Sequence, residues 1–271
     1  MKIVVDASGL RPPSPRLESH LQRSRQNFVV LTDFASMESM KGDGEVNLPR
    51  SLEILRHYPQ QVIVLRSTEH IMRLRPRSKG VLGRLIDPEQ TAGFSQWCHQ
   101  IFVERHSNPW IGFDLRQKSK AANVYFEYAL KGTQKVRTGI ELMLKNYTTE
   151  DLRSLRKREP ISDALHERVV RDIMHTTAIV FRDSSNQAMP AAADALWSYQ
   201  FRYALCAYLL VLKWFGDGGH DSVPDARLRN DFMDMTYAAY ATYFDGLLTN
   251  DQKMRDIHHA AVWALRNVFV A

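Results

Sequence analysis

Residues 230–251 read NDFMDMTYAAYATYFDGLLTND, and the fold follows from how this stretch is parsed. Asp231 to Phe244 has the texture of a helix, and Gly246 to Thr249 that of a short apolar strand. Asp231 and Asp234 stand three apart, so on a helix they share a face. Leu247 and Leu248 run into Thr249-Asn250-Asp251, a strand ending in a carboxylate. A helix carrying acids, followed by a strand delivering another, can bring carboxylates to a single point. Carboxylates that converge need a cation, and Mg²⁺ or Mn²⁺ is the usual one.

The N-terminus supplies the other half of such an arrangement. Ile3-Val4-Val5 is a continuous apolar run, the pattern of a strand buried on both faces of a parallel sheet. It ends at Asp6-Ala7-Ser8-Gly9, and an acid at the carboxyl end of a buried strand lies where open α/β sheets place their ligand sites. Pro12, Pro13 and Pro15 predict a loop, with a helix possible from Leu17 to Arg25. Phe28–Leu31 reads as a second strand. Thr32 or Asp33 caps the helix after it, which carries Glu38 and stops at Lys41-Gly42-Asp43-Gly44. A helix from Arg50 to His57 then leads to a third strand at Val62–Leu65. Alternating strands and helices of this kind predict an α/β protein with a central parallel sheet.

The texture then changes. Residues 71–84 are basic, with Arg73, Arg75, Arg77, Lys79 and Arg84. Thr148 with Asp151 has the spacing of a capping box opening a basic helix through Arg153, Arg156, Lys157 and Arg158. Ser162 caps a helix with Leu165, Val169, Ile173 and Met174 on one stripe, and Ala191 to Phe215 reads as another helix. The chain divides into residues 1–75, half of an α/β core; 76–190, a mostly helical insertion; and 191–271, the other half. A helix near His258 to Leu265 and a closing strand at Val268-Phe269-Val270 complete it.

The 271 residues are 44% hydrophobic and 24% charged, the balance of a folded chain rather than a disordered one. The net charge of +6 fits a nucleic-acid partner. Two cysteines, Cys98 and Cys206, make neither a disulfide framework nor a zinc motif, which points to a reducing cytoplasm. MKIVVDAS lacks the shape of a signal peptide. The longest apolar run, Tyr203 to Trp214, is too short for a bilayer and contains Lys213, so it reads as a buried helix and no membrane association is expected. No Gly-rich phosphate loop occurs.

Taken in order, VVDAS at 4–8, VVLTDFASMES at 29–39, DMTYAAYA at 234–241 and LLTND at 247–251 resemble the PIN-domain nucleases, a family that includes the ribonuclease toxins of toxin–antitoxin pairs. The likeness covers residues 1 to about 70 and about 195 to 271. It implies a three-layer α/β/α PIN-like domain with a parallel sheet. It also implies a Mg²⁺- or Mn²⁺-dependent endoribonuclease in which Asp6, Glu38, Asp234 and Asp251 are catalytic and hold metal, with Asp231 as an additional metal ligand. Which of Asp231 and Asp234 lies closer to the metal is open. Ser8 would position a metal-bound water. Thr249, Arg73, Arg75 and Arg77 are expected to help seat RNA, and an antitoxin or other protein partner, or a second copy of the chain, are implied partners.

Plainer roles stand beside these. Asp251 is also placed to cap the helix that follows it, and acids on an exposed helix face are usually only solvated. Asp33 reads as a cap and Asp245 as structural. Tyr237, Tyr240, Tyr243 and Phe244 have core spacing. His258-His259, and His220 beside Asp217 and Asp221, lack zinc spacing and read as solvated surface groups. Two other functions fit the residues: a PIN-like module that binds RNA or protein without cutting, and a haloacid-dehalogenase-like phosphatase. The latter wants a second Asp where Ser8 stands.

Overall fold

A computed structural model describes residues 1–77, 80–131, 133–157, 159–160, 162–217 and 224–269. It is an α/β protein built on a four-stranded, all-parallel sheet: β1 Lys2–Val5, β2 Phe28–Leu31, β3 Val62–Val64 and β4 Gly246–Leu248. Val4, Val5, Val29 and Val30 are wholly buried, as expected of strands covered on both faces. The strand order is β3-β2-β1-β4. The chain therefore winds outward from β1 through β2 to β3, then returns to lay β4 along the other side of β1. That reversal makes a topological switch point between β1 and β4, and a crevice forms outside the carboxyl ends of such strands.

Helices α1 Ala7–Leu10, α2 Pro15–Arg23, α3 Asp33–Met40, α4 Gly44–Leu52 and α5 Thr68–Met72 lie in the first part of the chain. The long middle contains α6 Val81–Leu85, α7 Pro88–Phe102, α8 Pro109–Lys131, α9 Thr133–Leu144, α10 Thr149–Lys157 and α11 Asp163–Ser185. The remainder comprises α12 Ala192–Ala195, α13 Tyr199–Gly216, α14 Asp225–Ala241 and α15 Gln252–Asn267. Among the described residues no helix is long and apolar enough to cross a membrane.

Local signals set many of these boundaries. Thr32 caps α3 by accepting from the Ala35 amide, Ser162 caps α11, and Thr148 and Asp151 exchange both bonds of a capping box. Three expectations are corrected. The helix expected at Arg50–His57 starts earlier, at Gly44, because Asp43 accepts from the Glu45 amide and caps it; only a short 3₁₀ turn occupies Leu55–His57. The Ala191–Phe215 helix is two helices, divided where Ser198 caps α13 by accepting from the Phe201 amide. Val268 ends α15 instead of opening a strand, and Phe269 packs edge-on against Phe201 at 5.0 Å; Val270 lies outside the described residues.

The middle of the chain also serves the sheet. β3 is an edge strand, and the start of α7 covers it: Val64 donates its amide to Thr91 Oγ1 at 3.0 Å and its carbonyl accepts from the Asp87 amide at 2.9 Å. At the far side, α14 packs on β1 and β4, with Tyr237, Ala238, Ala239, Tyr240 and Ala241 essentially buried on every side. A small residue lets α1 turn back against β4. A Cβ on Gly9 would stand 2.5 Å from Leu248 Cδ2 and 2.9 Å from the Leu248 carbonyl oxygen. Gly9→Ala is therefore expected to destabilise the protein by about 1–3 kcal/mol, the usual consequence of overpacking, read as a lower urea midpoint at unchanged slope.

Candidate functional site

The carboxyl edge of the sheet carries an acid or its anchor at the end of each of three strands, and α14 adds another from the flank. Asp6 follows β1 directly and is buried. Its Oδ1 accepts from the Gly9 amide at 2.7 Å and from Ser8 Oγ at 2.8 Å, which makes it the cap of α1. Its Oδ2 accepts from Thr249 Oγ1 at 2.5 Å and from Ser8 Oγ at 3.0 Å. Burial pushes the Asp6 carboxyl above its ordinary range; the hydrogen bonds from Thr249, Gly9 and Ser8 oppose that rise.

Thr249 ties two strands together. While donating to Asp6 it accepts from the Asp251 amide at 3.0 Å. Asn250 adds a second tie, its amide donating to Ser8 Oγ at 3.2 Å. Ser8 and Thr249 thus hold Asp6, which is a more definite role than the water-positioning and RNA-seating parts expected of them. Asp251 performs the capping role anticipated for it, Oδ1 accepting from the Lys253 and Met254 amides at 2.7 and 3.3 Å.

Glu38 arrives from the second turn of α3 and accepts from Tyr237 Oη at 2.7 Å. Burial raises its pKa, the Tyr237 bond opposes this, the charge on Asp6 raises it further, and Lys41 and Arg11 pull it back. Asp234, one turn before Tyr237 on α14, has no hydrogen-bond or ion-pair partner among the described residues. Burial first, then the charges of Glu38, Asp6, Asp251 and Asp231, push it up to about 8. Asp234 therefore feels the negative charge of the other acids.

Asp231 faces differently from Asp234 despite the shared helix. It is buried and forms an ion pair with Lys253 Nζ, and its Oδ2 accepts from Trp214 Nε1 at 3.2 Å. Both oxygens are engaged, so it ties α13, α14 and α15 together. Asp33 serves as a clamp rather than a cap of its own helix: it accepts from the amide and hydroxyl of Thr68 at 2.6 and 2.7 Å, joining the ends of β2 and α5. Asp245 is structural as expected, accepting from the Lys2 amide at 2.6 Å. Tyr240 and Tyr243 are core residues.

The basic residues are more dispersed. Arg73 is exposed and pairs with Glu69, while the backbone carbonyls of Arg75 and Arg77 accept from Arg84. Arg153 pairs with Glu150. Lys79, Arg158, His220 and Asp221 lie outside the described residues. His258, read as a surface group, is buried instead, and burial lowers its pKa; His259 is exposed.

Among the described residues no three His, Cys, Asp or Glu side chains stand together as a finished metal cradle. A hydrated Mg²⁺ or Mn²⁺ takes one or two carboxylates directly and keeps most of its waters, so an ion bound here would need only one or two of these acids. Asp234, unpartnered beside other acids, is the group such an ion would serve best. Comparison with protein-family models, curated proteins and solved structures finds no match to this chain. The partners that motif reading missed are Tyr237, Trp214 and Lys253. Only Tyr237 left a trace, at i+3 from Asp234 on the same helix face.

Two outcomes follow. Asp234 is expected to bind its proton more tightly folded than unfolded, so stability of the metal-free protein should fall as pH rises from about 4 towards about 8. The slope contributed is up to about 1.4 kcal/mol per pH unit, and Asp234→Asn should flatten it in denaturant melts across that range. Lys253→Met strands the Asp231 carboxylate and should destabilise by about 3–5 kcal/mol at pH 7, whereas the double change Asp231→Leu with Lys253→Met should recover much of that loss.

Proposed function

We propose that this chain is a PIN-like, divalent-metal-dependent endoribonuclease. The observation that carries the reading is Asp234, a carboxylate on α14 that has no hydrogen-bond or ion-pair partner among the described residues and is acted on by the charges of Asp6, Glu38 and Asp251. The order of the four acidic motifs along the chain and the overall charge of +6 also support it. The four-stranded parallel sheet and its surrounding helices are compatible with three α/β/α layers.

Glu38 and Asp234 would hold the ion, with Asp6 and Asp251 engaging its waters. Bound there, the metal would offset the charge of a scissile phosphate and lower the pKa of a water. The chain's own contribution is placement. Ser8, Thr249 and the Gly9 amide hold Asp6 in one rotamer, and Tyr237 holds Glu38. Burial and like charge favour the protonated form of Asp234 in the metal-free protein, and a bound cation would favour the ionised form, so metal affinity should rise with pH.

The phosphatase reading wants a second Asp where Ser8 stands, and Ser8 instead donates to Asp6. The non-cutting module remains the second reading, favoured by the absence of a ready-made metal cradle among the described residues.

The test is cleavage of a panel of single-stranded and structured RNAs. Mg²⁺ or Mn²⁺ should support cutting, chelator should abolish it, and Asp6→Asn or Asp234→Asn should each lower kcat by about 10²-fold or more while remaining folded. Full activity in both folded variants would refute the proposal, and salt-sensitive RNA binding with no cleavage in any divalent metal would select the non-cutting module.

A further inference from the structure

Helices α9, α11, α13 and α14 enclose a groove of about 600 Å³ that the acidic crevice does not use. Its walls are mostly apolar, among them Ile140, Met143, Tyr203, Val211 and Phe232, and at its rim Leu142 is 57% exposed. A space of this size suits a small organic molecule.

Among the described residues an acid and a histidine line it, Asp172 and, one turn further along α11, His175. Asp172 on α11 lines the groove and accepts from Tyr208 Oη at 2.9 Å through Oδ2; Tyr208 in turn shares a hydrogen bond with Tyr147. Oδ1 takes no hydrogen bond, and Asp172 has no ion-pair partner, among the described residues. Arg168, one turn earlier, does not neutralise it: its guanidinium is held by Asp151 at 2.7 Å and by the Asn146 carbonyl at 2.8 Å. A carboxylate steadied by a tyrosine relay but lacking a cation thus stands in an apolar groove, with the rings of Tyr203, Tyr208 and Phe232 among its lining.

We propose that this groove binds an amphiphilic organic cation, with an apolar body between the helices and an ammonium head at Asp172. Charge complementarity selects the cation, aromatic faces favour an ammonium further, and the apolar walls hold the body. A fatty anion of the same length would be repelled by Asp172, and a neutral alcohol would gain the apolar contacts and a hydrogen bond but no charge attraction.

Calorimetry on the full chain at neutral pH tests this with octylammonium, octanol and octanoate. Octylammonium should bind one to one, at least tenfold tighter than octanol, and octanoate should not bind. Asp172→Asn should erase the tenfold preference and leave octanol affinity unchanged. Gly139→Leu is tolerated by the backbone, since a Cβ there meets nothing within 4 Å; it should fill the groove and weaken both ligands at least tenfold. Equal affinity for octanol and octylammonium, a preference that survives in Asp172→Asn, or no saturable binding by the folded protein would each overturn the proposal.

Discussion

The hydrogen bond from Thr249 to Asp6 joins residues 243 apart in the chain and fixes the spacing of β1 and β4 at the switch point. The hydroxyl is oriented from both sides, donating to Asp6 and accepting from the Asp251 amide. Because Asp6 also caps α1, the same carboxylate decides where the chain turns after the first strand. Gly9 belongs to this arrangement, since only a residue without a Cβ lets that turn approach Leu248 so closely. The opening of the crevice is thus set by polar contacts that cross the sheet edge, on a base of apolar strands.

Around that anchor, the acids differ in how well they are satisfied. Asp6 accepts hydrogen bonds on both oxygens, Asp231 is paired, Asp251 spends one oxygen on a helix cap, and Glu38 has a tyrosine. Among the described residues Asp234 has none of these. Burial and like charge both disfavour its ionised form, an unfavourable term that the packed α13–α14–α15 region must offset. A fold selected for stability alone would replace such a residue with an apolar one. The proposed metal-dependent function accounts for an acid at this position beside Glu38 and Asp6.

Much of this was legible along the chain. Each strand betrayed itself as a short valine-rich or leucine-rich run, and acids after strand ends marked the carboxyl edge. Caps at Thr32, Thr148 and Ser162 were local and therefore readable. Strand order was not, because pairing β4 with β1 is a contact between the two ends of the chain. The same reason hid the partners of the acids: Tyr237 and Glu38 are 199 residues apart. Spacing placed Asp231 and Asp234 on one helix face, yet a turn of helix separates an acid enclosed by Trp214 and Lys253 from one facing the other carboxylates. Periodicity identifies a face but not what meets it. Asp43 and Ser198 were overlooked as caps, and two helix boundaries were misplaced as a result.

The account rests on Asp234 being a proton-holding carboxylate that a cation would release. Its titration can be followed directly by ¹³C NMR of the side-chain carboxyl in the metal-free protein and again with saturating Mg²⁺. The account predicts a midpoint near 8 without metal, displaced downward by several pH units when Mg²⁺ is added. A midpoint near 4 in the metal-free protein, or one that Mg²⁺ leaves in place, would contradict it.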